Sequence, residues 1–188
     1  MERTGLYIGL AATWLLILAM WTVPSARRRE PHEVFESLGL GLWFSLAPLA
    51  LAGVWPVTGY SWLRIAGWTV QLCGAAFVVL AFYNLRKRGR PTDVWERTTV
   101  IVDESVYARI RHPMYAGTGV WAVGIAMAGP SAGSVLLAVA CAVLTLLAAL
   151  AEDRYNLEKF GAAYAEYMQR VPLMNVFRAR RKPPAPGN

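Results

Sequence analysis

Arg109, Arg111 and His112 stand directly before Pro113 in the stretch "ARIRHPMYAG", at the mouth of an apolar run. Two adjacent acids, Glu152 and Asp153, follow about forty residues later, at the end of another apolar run. Guanidinium, imidazole and paired carboxylates are groups that bind ions and move protons. Proline is favoured at the first helical position, and the residue before it avoids helical geometry. The spacing therefore places His112 at the N-cap and Pro113 at N1 of a helix. Unpaired first-turn amides and the helix dipole add partial positive charge there, and Arg109 and Arg111 add whole charges. This is an anion-binding arrangement, open to a carboxylate, a phosphate or lipid headgroups. It equally suits a membrane anchor, because arginines at span ends reach back to the interface. Arg109 is read as that anchor.

Glu152 and Asp153 add the opposite sign. Paired acids at a membrane boundary are costly unless hydrated, paired or used. They can close a salt bridge to Arg109 or Arg111, or receive a ligand that carries both charges.

The elements that position these groups are apolar helices. Of the 188 residues, 56% are hydrophobic and only 16% charged, and mean hydropathy is positive. That composition is typical of membrane proteins. A bilayer core needs about 20 apolar residues in a helix. Runs at 5–23, 38–57, 65–85, 114–129 and 131–151 meet that need, the fourth being short. The expected fold is all-α: a polytopic membrane protein of about five transmembrane helices, forming a single integral membrane domain over 1–188. "MERT" lacks a positive region, so the first run does not read as a signal peptide. Gly129-Pro130 marks a tight turn between the last two runs, and the glycines of the fourth suggest close helix packing. Cys73 and Cys141 lie in apolar runs and read as core residues, with no metal cluster around them.

Of the 19 cations, 17 fall in segments 24–37, 86–113 and 152–188, which the positive-inside rule places in the cytoplasm. The N-terminus is then outside and the C-terminus cytoplasmic, at the inner membrane if the source is bacterial. The net charge of +7 is concentrated beside the ends of apolar runs, which argues against nucleic acid as a partner. Eleven of the twelve acids share the cation-rich side, so the polar chemistry is expected there.

After Glu152, Leu157, Phe160, Tyr164, Tyr167 and Val171 recur at helical spacing, predicting a cytoplasmic amphipathic helix ended by Pro172. Residues 173–188 read as a basic tail suited to membrane lipids. "TTVIV" at 98–102 has the composition of an extended segment. His32 reads as an ordinary surface histidine. Glu33 and Glu36 lie on the polar side, with nothing tying them to a site.

"YARIRHPMYAG", followed by "EDRYNLEKFGAAYAEYMQRVP", resembles the isoprenylcysteine carboxyl methyltransferase family and the wider phospholipid methyltransferase superfamily. Tyr107, Arg111, His112, Pro113, Tyr115 and Gly117 match the first motif. Glu152, Phe160, Gly161, Tyr164, Tyr167, Arg170, Val171 and Pro172 match the second. The resemblance implies S-adenosylmethionine as cofactor, bound within 100–172 at the cytoplasmic ends of the last two spans. It assigns cofactor binding to Tyr107, Arg111, His112, Pro113, Tyr115, Gly117, Glu152 and Tyr164. It places Arg170 near the acceptor or cofactor, and leaves Glu152, Asp153 or His112 to take a proton. The acceptor would be a lipophilic small molecule or lipid entering from the bilayer, such as a prenylcysteine-like carboxylate or an isoprenoid. No metal is implied.

Two positions depart from the family pattern. The acidic pair is Glu-Asp rather than Glu-Glu, and Ser105-Val106 replaces the usual glycine before the tyrosine, so a different loop path is expected. Two other functions fit the same composition: a non-catalytic protein that binds a lipid headgroup or partner, and a sterol-type membrane reductase.

Overall fold

The computed structural model describes residues 2–55, 61–90 and 98–175. Most of the expected basic tail and the first part of the 91–102 loop lie outside them. The described chain is helical, with no strand among the described residues. Its helices are α1 (Glu2–Ile17), α2 (Val23–Arg27), α3 (Pro31–Leu51), α4 (Ser61–Arg88), α5 (Pro113–Ala128), α6 (Ala132–Phe160) and α7 (Ala162–Arg170). A π-helical turn, Leu18–Thr22, joins α1 to α2. It precedes Pro24, which has no N–H to continue an α-helical ladder. The widened turn is satisfied instead by Thr22 Oγ1, which donates to Ile17 O at 3.3 Å and sits 2.8 Å from Ser37 Oγ.

Among the described residues, four helices are long and apolar enough to cross a membrane: Arg3–Arg27, Pro31–Leu51, Ser61–Arg88 and Ala132–Phe160. The fourth apolar run forms the shorter α5, 16 residues, packed between α4 and α6. Met20, Leu51, Leu72 and Leu136 are all more than two-thirds exposed, as side chains facing lipid would be.

Several elements differ from the sequence expectation, among them the end of α3 at Leu51 rather than 57 and the longer α4. α3 begins at Pro31 rather than 38, because Pro31 occupies N1, where its fixed φ is already helical. That converts "PHEVFE" from loop to helix. α6 continues through Glu152 to Phe160, so the first half of the expected amphipathic helix is an extension of the last span. The break comes at Gly161, whose φ of +59° a side chain would disfavour. Segment 98–102 is irregular rather than extended, with Thr99 N donating to Gly89 O at 3.0 Å.

The packing of α5 is also not the expected one. Its glycines approach α4 rather than α6: a Cβ on Gly124 would lie 2.5 Å from Gln71 N, and one on Gly117 would lie 3.0 Å from Gly74 O. Cys141 is buried, but Cys73 is exposed on α4, so only one of the two cysteines is a core residue.

Candidate functional site

His112 is the N-cap of α5 and Pro113 its first residue, as the sequence predicts. The His112 side chain does not cap the helix. It turns toward the acids of α6, with Nε2 2.8 Å from Asp153 Oδ1 and Nδ1 3.5 Å from Glu152 Oε2. Arg111 meets the same Asp153 with two nitrogens, Nε to Oδ1 at 3.2 Å and Nη2 to Oδ2 at 2.7 Å. Its Nη1 donates to the carbonyls of Val171, at 2.5 Å, and Met168, at 3.2 Å. A planar fork of this kind suits a buried carboxylate better than a lysine would. Tyr164 Oη completes the shell around Asp153, donating to Oδ1 at 2.7 Å.

The second motif closes on the first through the backbone. Arg111 N donates to Pro172 O at 3.0 Å, and His112 N to Leu173 O at 3.2 Å. Tyr167 Oη donates to Tyr107 O at 2.7 Å. Leu173 and Met174, at the start of the expected tail, pack beside Tyr115 and Ala148. The turn at Gly161 is what returns α7 to this position.

Burial opposes a charged His112, but hydrogen bonds and Coulomb attraction from Asp153 and Glu152 outweigh it and raise the ring to about 9. His112 is therefore an imidazolium at neutral pH. Burial first, then the Asp153 charge, holds the Tyr164 phenol well above its usual range, so it stays a neutral donor.

These groups form one end of a cavity with about 970 Å³ of non-atom space, part of it open to solvent. Tyr107, Arg111, His112, Pro113, Tyr115, Glu152 and Tyr164 all line it. Three other expected site residues do not. Gly117 faces Val78 of α4. Asp153 sits behind His112. Arg170 pairs with Asp103 at 3.5 Å and Glu166 at 3.7 Å, which ties α7 to the loop before Tyr107. Arg109 is exposed.

A family model described as phospholipid methyltransferase matches residues 62–163, which span α4, α5, α6 and the first motif. The chain belongs to the phospholipid methyltransferase family. Methanethiol S-methyltransferase 2 of Bradyrhizobium diazoefficiens is 29% identical over 174 residues, covering 85% of this chain and 64% of that protein. Protein-S-isoprenylcysteine O-methyltransferase B of Arabidopsis thaliana is 37% identical over 76 residues, 38% of this chain and 37% of the relative. The Schizosaccharomyces pombe protein-S-isoprenylcysteine O-methyltransferase is 30% identical over 74 residues, 39% and 31% of the two chains. The matches thus span less than two-thirds of these relatives' lengths. No solved structure matches. Together with the four long apolar helices, the family makes this an integral membrane protein, and the resemblance read from the two motifs holds.

For a phospholipid methyltransferase family member, the electrostatics of the wall are the unexpected part. Arg111 and His112, expected at an anion-binding helix start, are already engaged by acids. One part of the wall is acidic, because the N-cap and first turns of α3 bring Glu30, His32, Glu33 and Glu36 to the same cavity. Arg28 holds Glu30 at 2.6 Å and Glu33 at 2.8 Å. Tyr115 Oη donates to Glu36 at 3.0 Å. His32 is 9% exposed, not a surface residue. A sequence signal for this wall exists: with Pro31 at N1, His32 and Glu36 fall four apart on one helical face.

Proposed function

We propose that the cavity serves an S-adenosylmethionine-dependent methyl transfer, at the cytoplasmic face of the membrane, to a lipophilic acceptor. The observation that carries this reading is the meeting of His112, Tyr115 and Glu152 on one cavity wall, in a family whose relatives are named as methyltransferases. The cytoplasmic assignment rests on the 17 of 19 cations that flank this end of the helices.

The residues present suit such a cofactor. When bound, S-adenosylmethionine supplies a methyl group on a cationic sulfonium. Glu152, a third exposed, and Glu36 offer acceptors for a cation or for ribose hydroxyls. Tyr107, Tyr115 and Phe160 line the same space, and aromatic faces attract cations. Asp153 holds Arg111 and His112 in place, so the wall is formed before any ligand arrives. Positioning of the reactants and exclusion of water are then the chain's main contributions to rate. The acceptor is expected to enter sideways from the bilayer.

Calorimetric titration of the purified protein in detergent with S-adenosylmethionine, or with its demethylated product, tests this. Saturable binding that weakens tenfold or more in Glu152→Gln and Tyr115→Phe is expected. No binding at millimolar ligand overturns the reading.

A further inference from the structure

Residues 98–102 run irregularly from the neighbourhood of α4 toward the turn into Tyr107. Thr98, Val100, Ile101 and Val102 line the cavity. One end of the segment is held at the close of α4. Thr99 N donates to Gly89 O and Thr99 Oγ1 to Arg90 O, both at 3.0 Å. The approach is close, because a Cβ on Gly89 would lie 2.5 Å from Thr98 Cγ2. The other end is anchored by Val102, buried beside Ala81, Val106 and Tyr107. Between the anchors, Ile101 packs against the Tyr164–Tyr167 cluster, while Thr99 and Val100 are exposed. Exposed irregular segments open at low free energy.

A lysine joins this segment to α6. Lys159 Nζ donates to Thr98 O at 2.7 Å, across 61 residues of chain. The same ammonium stands 5.6 Å from the centre of the Tyr155 ring and 5.1 Å from that of Phe160. Aromatic faces attract a cation at such distances, so the two rings keep Nζ aimed at Thr98. Both rings line the cavity, whereas Lys159 is exposed and lies outside the lining. Lys159 is also about two helical turns beyond Glu152 on the continuous α6, roughly 10 Å along its axis and away from the apolar span. The joined segment therefore crosses the cavity on the solvent side of the wall that carries Glu152 and His112.

We infer that residues 98–102 are a strap over the solvent mouth of the cavity and that Lys159 is its latch, a positioning residue that acts through Thr98; this rests on the cavity being the cofactor site. Hydrogen bonds with a charged donor are stronger than neutral ones, and losing an exposed one shifts an opening equilibrium by about tenfold. Lys159 touches the strap and the outer rings, not the lining, so its loss frees the mouth for entry and exit alike. A contact indifferent to the ligand cannot change the binding equilibrium. The latch thus sets how fast the cofactor and its demethylated product exchange, and the wall of His112, Tyr115 and Glu152 sets how tightly they bind. A closed strap also keeps water from the reactants during transfer.

Surface plasmon resonance of the full chain in detergent, with S-adenosylhomocysteine as analyte, tests this. Lys159→Met keeps the apolar stem and removes the donor. Its association and dissociation rates should both rise about tenfold, with Kd within about twofold of wild type. Lys159→Arg, which retains a charged donor, should restore slow exchange. Because Lys159 is exposed, the melting temperature of Lys159→Met without ligand should match that of the wild type. Unchanged rates in Lys159→Met would overturn the latch. Faster dissociation with unchanged association, and hence a weaker Kd, would show that Lys159 holds the ligand and not the strap, and would overturn it equally. A wild type that binds no S-adenosylhomocysteine would overturn the cofactor reading and this inference with it.

Discussion

His112 and Asp153 meet at 2.8 Å across the join of α5 and α6, and the same carboxylate receives two donors from Arg111 and one from Tyr164. Asp153 thus compensates two buried cations, with Glu152 as a second acid beside His112. Both partners of the Arg111–Asp153 pair have side chains less than a tenth exposed, 9% and 7%. Removing one partner of such a pair leaves an uncompensated buried charge, which costs about 3–5 kcal/mol. Asp153→Ala should lower thermal stability in detergent by that order, whether or not cofactor is present. Arg170→Ala breaks only partly exposed pairs and should cost no more than about 1 kcal/mol.

The same cluster makes stability depend on pH. His112 has an ordinary value of 6.5 and is raised to about 9 in the fold. A raised imidazole contributes stability that is fully present below 6.5 and is lost as pH rises through about 9. The melting temperature should therefore fall between these pH values. In His112→Gln that portion of the slope should vanish, leaving a lower and flatter profile over the same range.

The contact between α4 and α5 depends on absent side chains. A Cβ on Gly124 would sit 2.5 Å from Gln71 N, and backbone cannot yield as a flexible side chain can. Gly124→Ala should destabilise by about 1–3 kcal/mol, the usual cost of overpacking. Gly119 lies on the same helix with nothing within 4 Å of its Cβ position. Gly119→Ala should instead raise stability by about 0.5–1 kcal/mol, through helix propensity. Unfolding both variants in mixed detergent micelles compares the two signs directly.

Ser105 has a φ of +56°, in the left-handed region that costs a side-chain-bearing residue roughly 1–2 kcal/mol. Glycine is the residue that adopts it without strain, and the family pattern has glycine just before the tyrosine. The loop into Tyr107 thus keeps a glycine-like turn with a serine in it. Ser105→Gly is expected to stabilise by up to about 1 kcal/mol, net of the entropy glycine loses on folding. A fall in melting temperature would show that the Ser105 side chain is needed.

Local order determined much of this protein. The apolar runs specified helices because a buried or lipid-facing segment must satisfy its own backbone. Pro113 specified where α5 starts, and the motif residues Tyr107, His112, Tyr115, Glu152 and Tyr164 were picked out by the resemblance of two short motifs to a known family. Each of those signals lives within a few residues of chain. What the sequence left open is set by contacts between distant segments. His112 and Asp153 are 41 residues apart, and Tyr115 and Glu36 are 79 apart, so no periodicity records either pairing. Only the packed helices show that Arg111 and His112 are neutralised from within, that Gly117 serves the α4 contact and not the cavity, and that the first turns of α3 supply its acidic wall and His32. The physical reason is that helix formation is decided by hydrogen bonds four residues apart, whereas the charge of a cavity is decided by which helix ends the packing brings together.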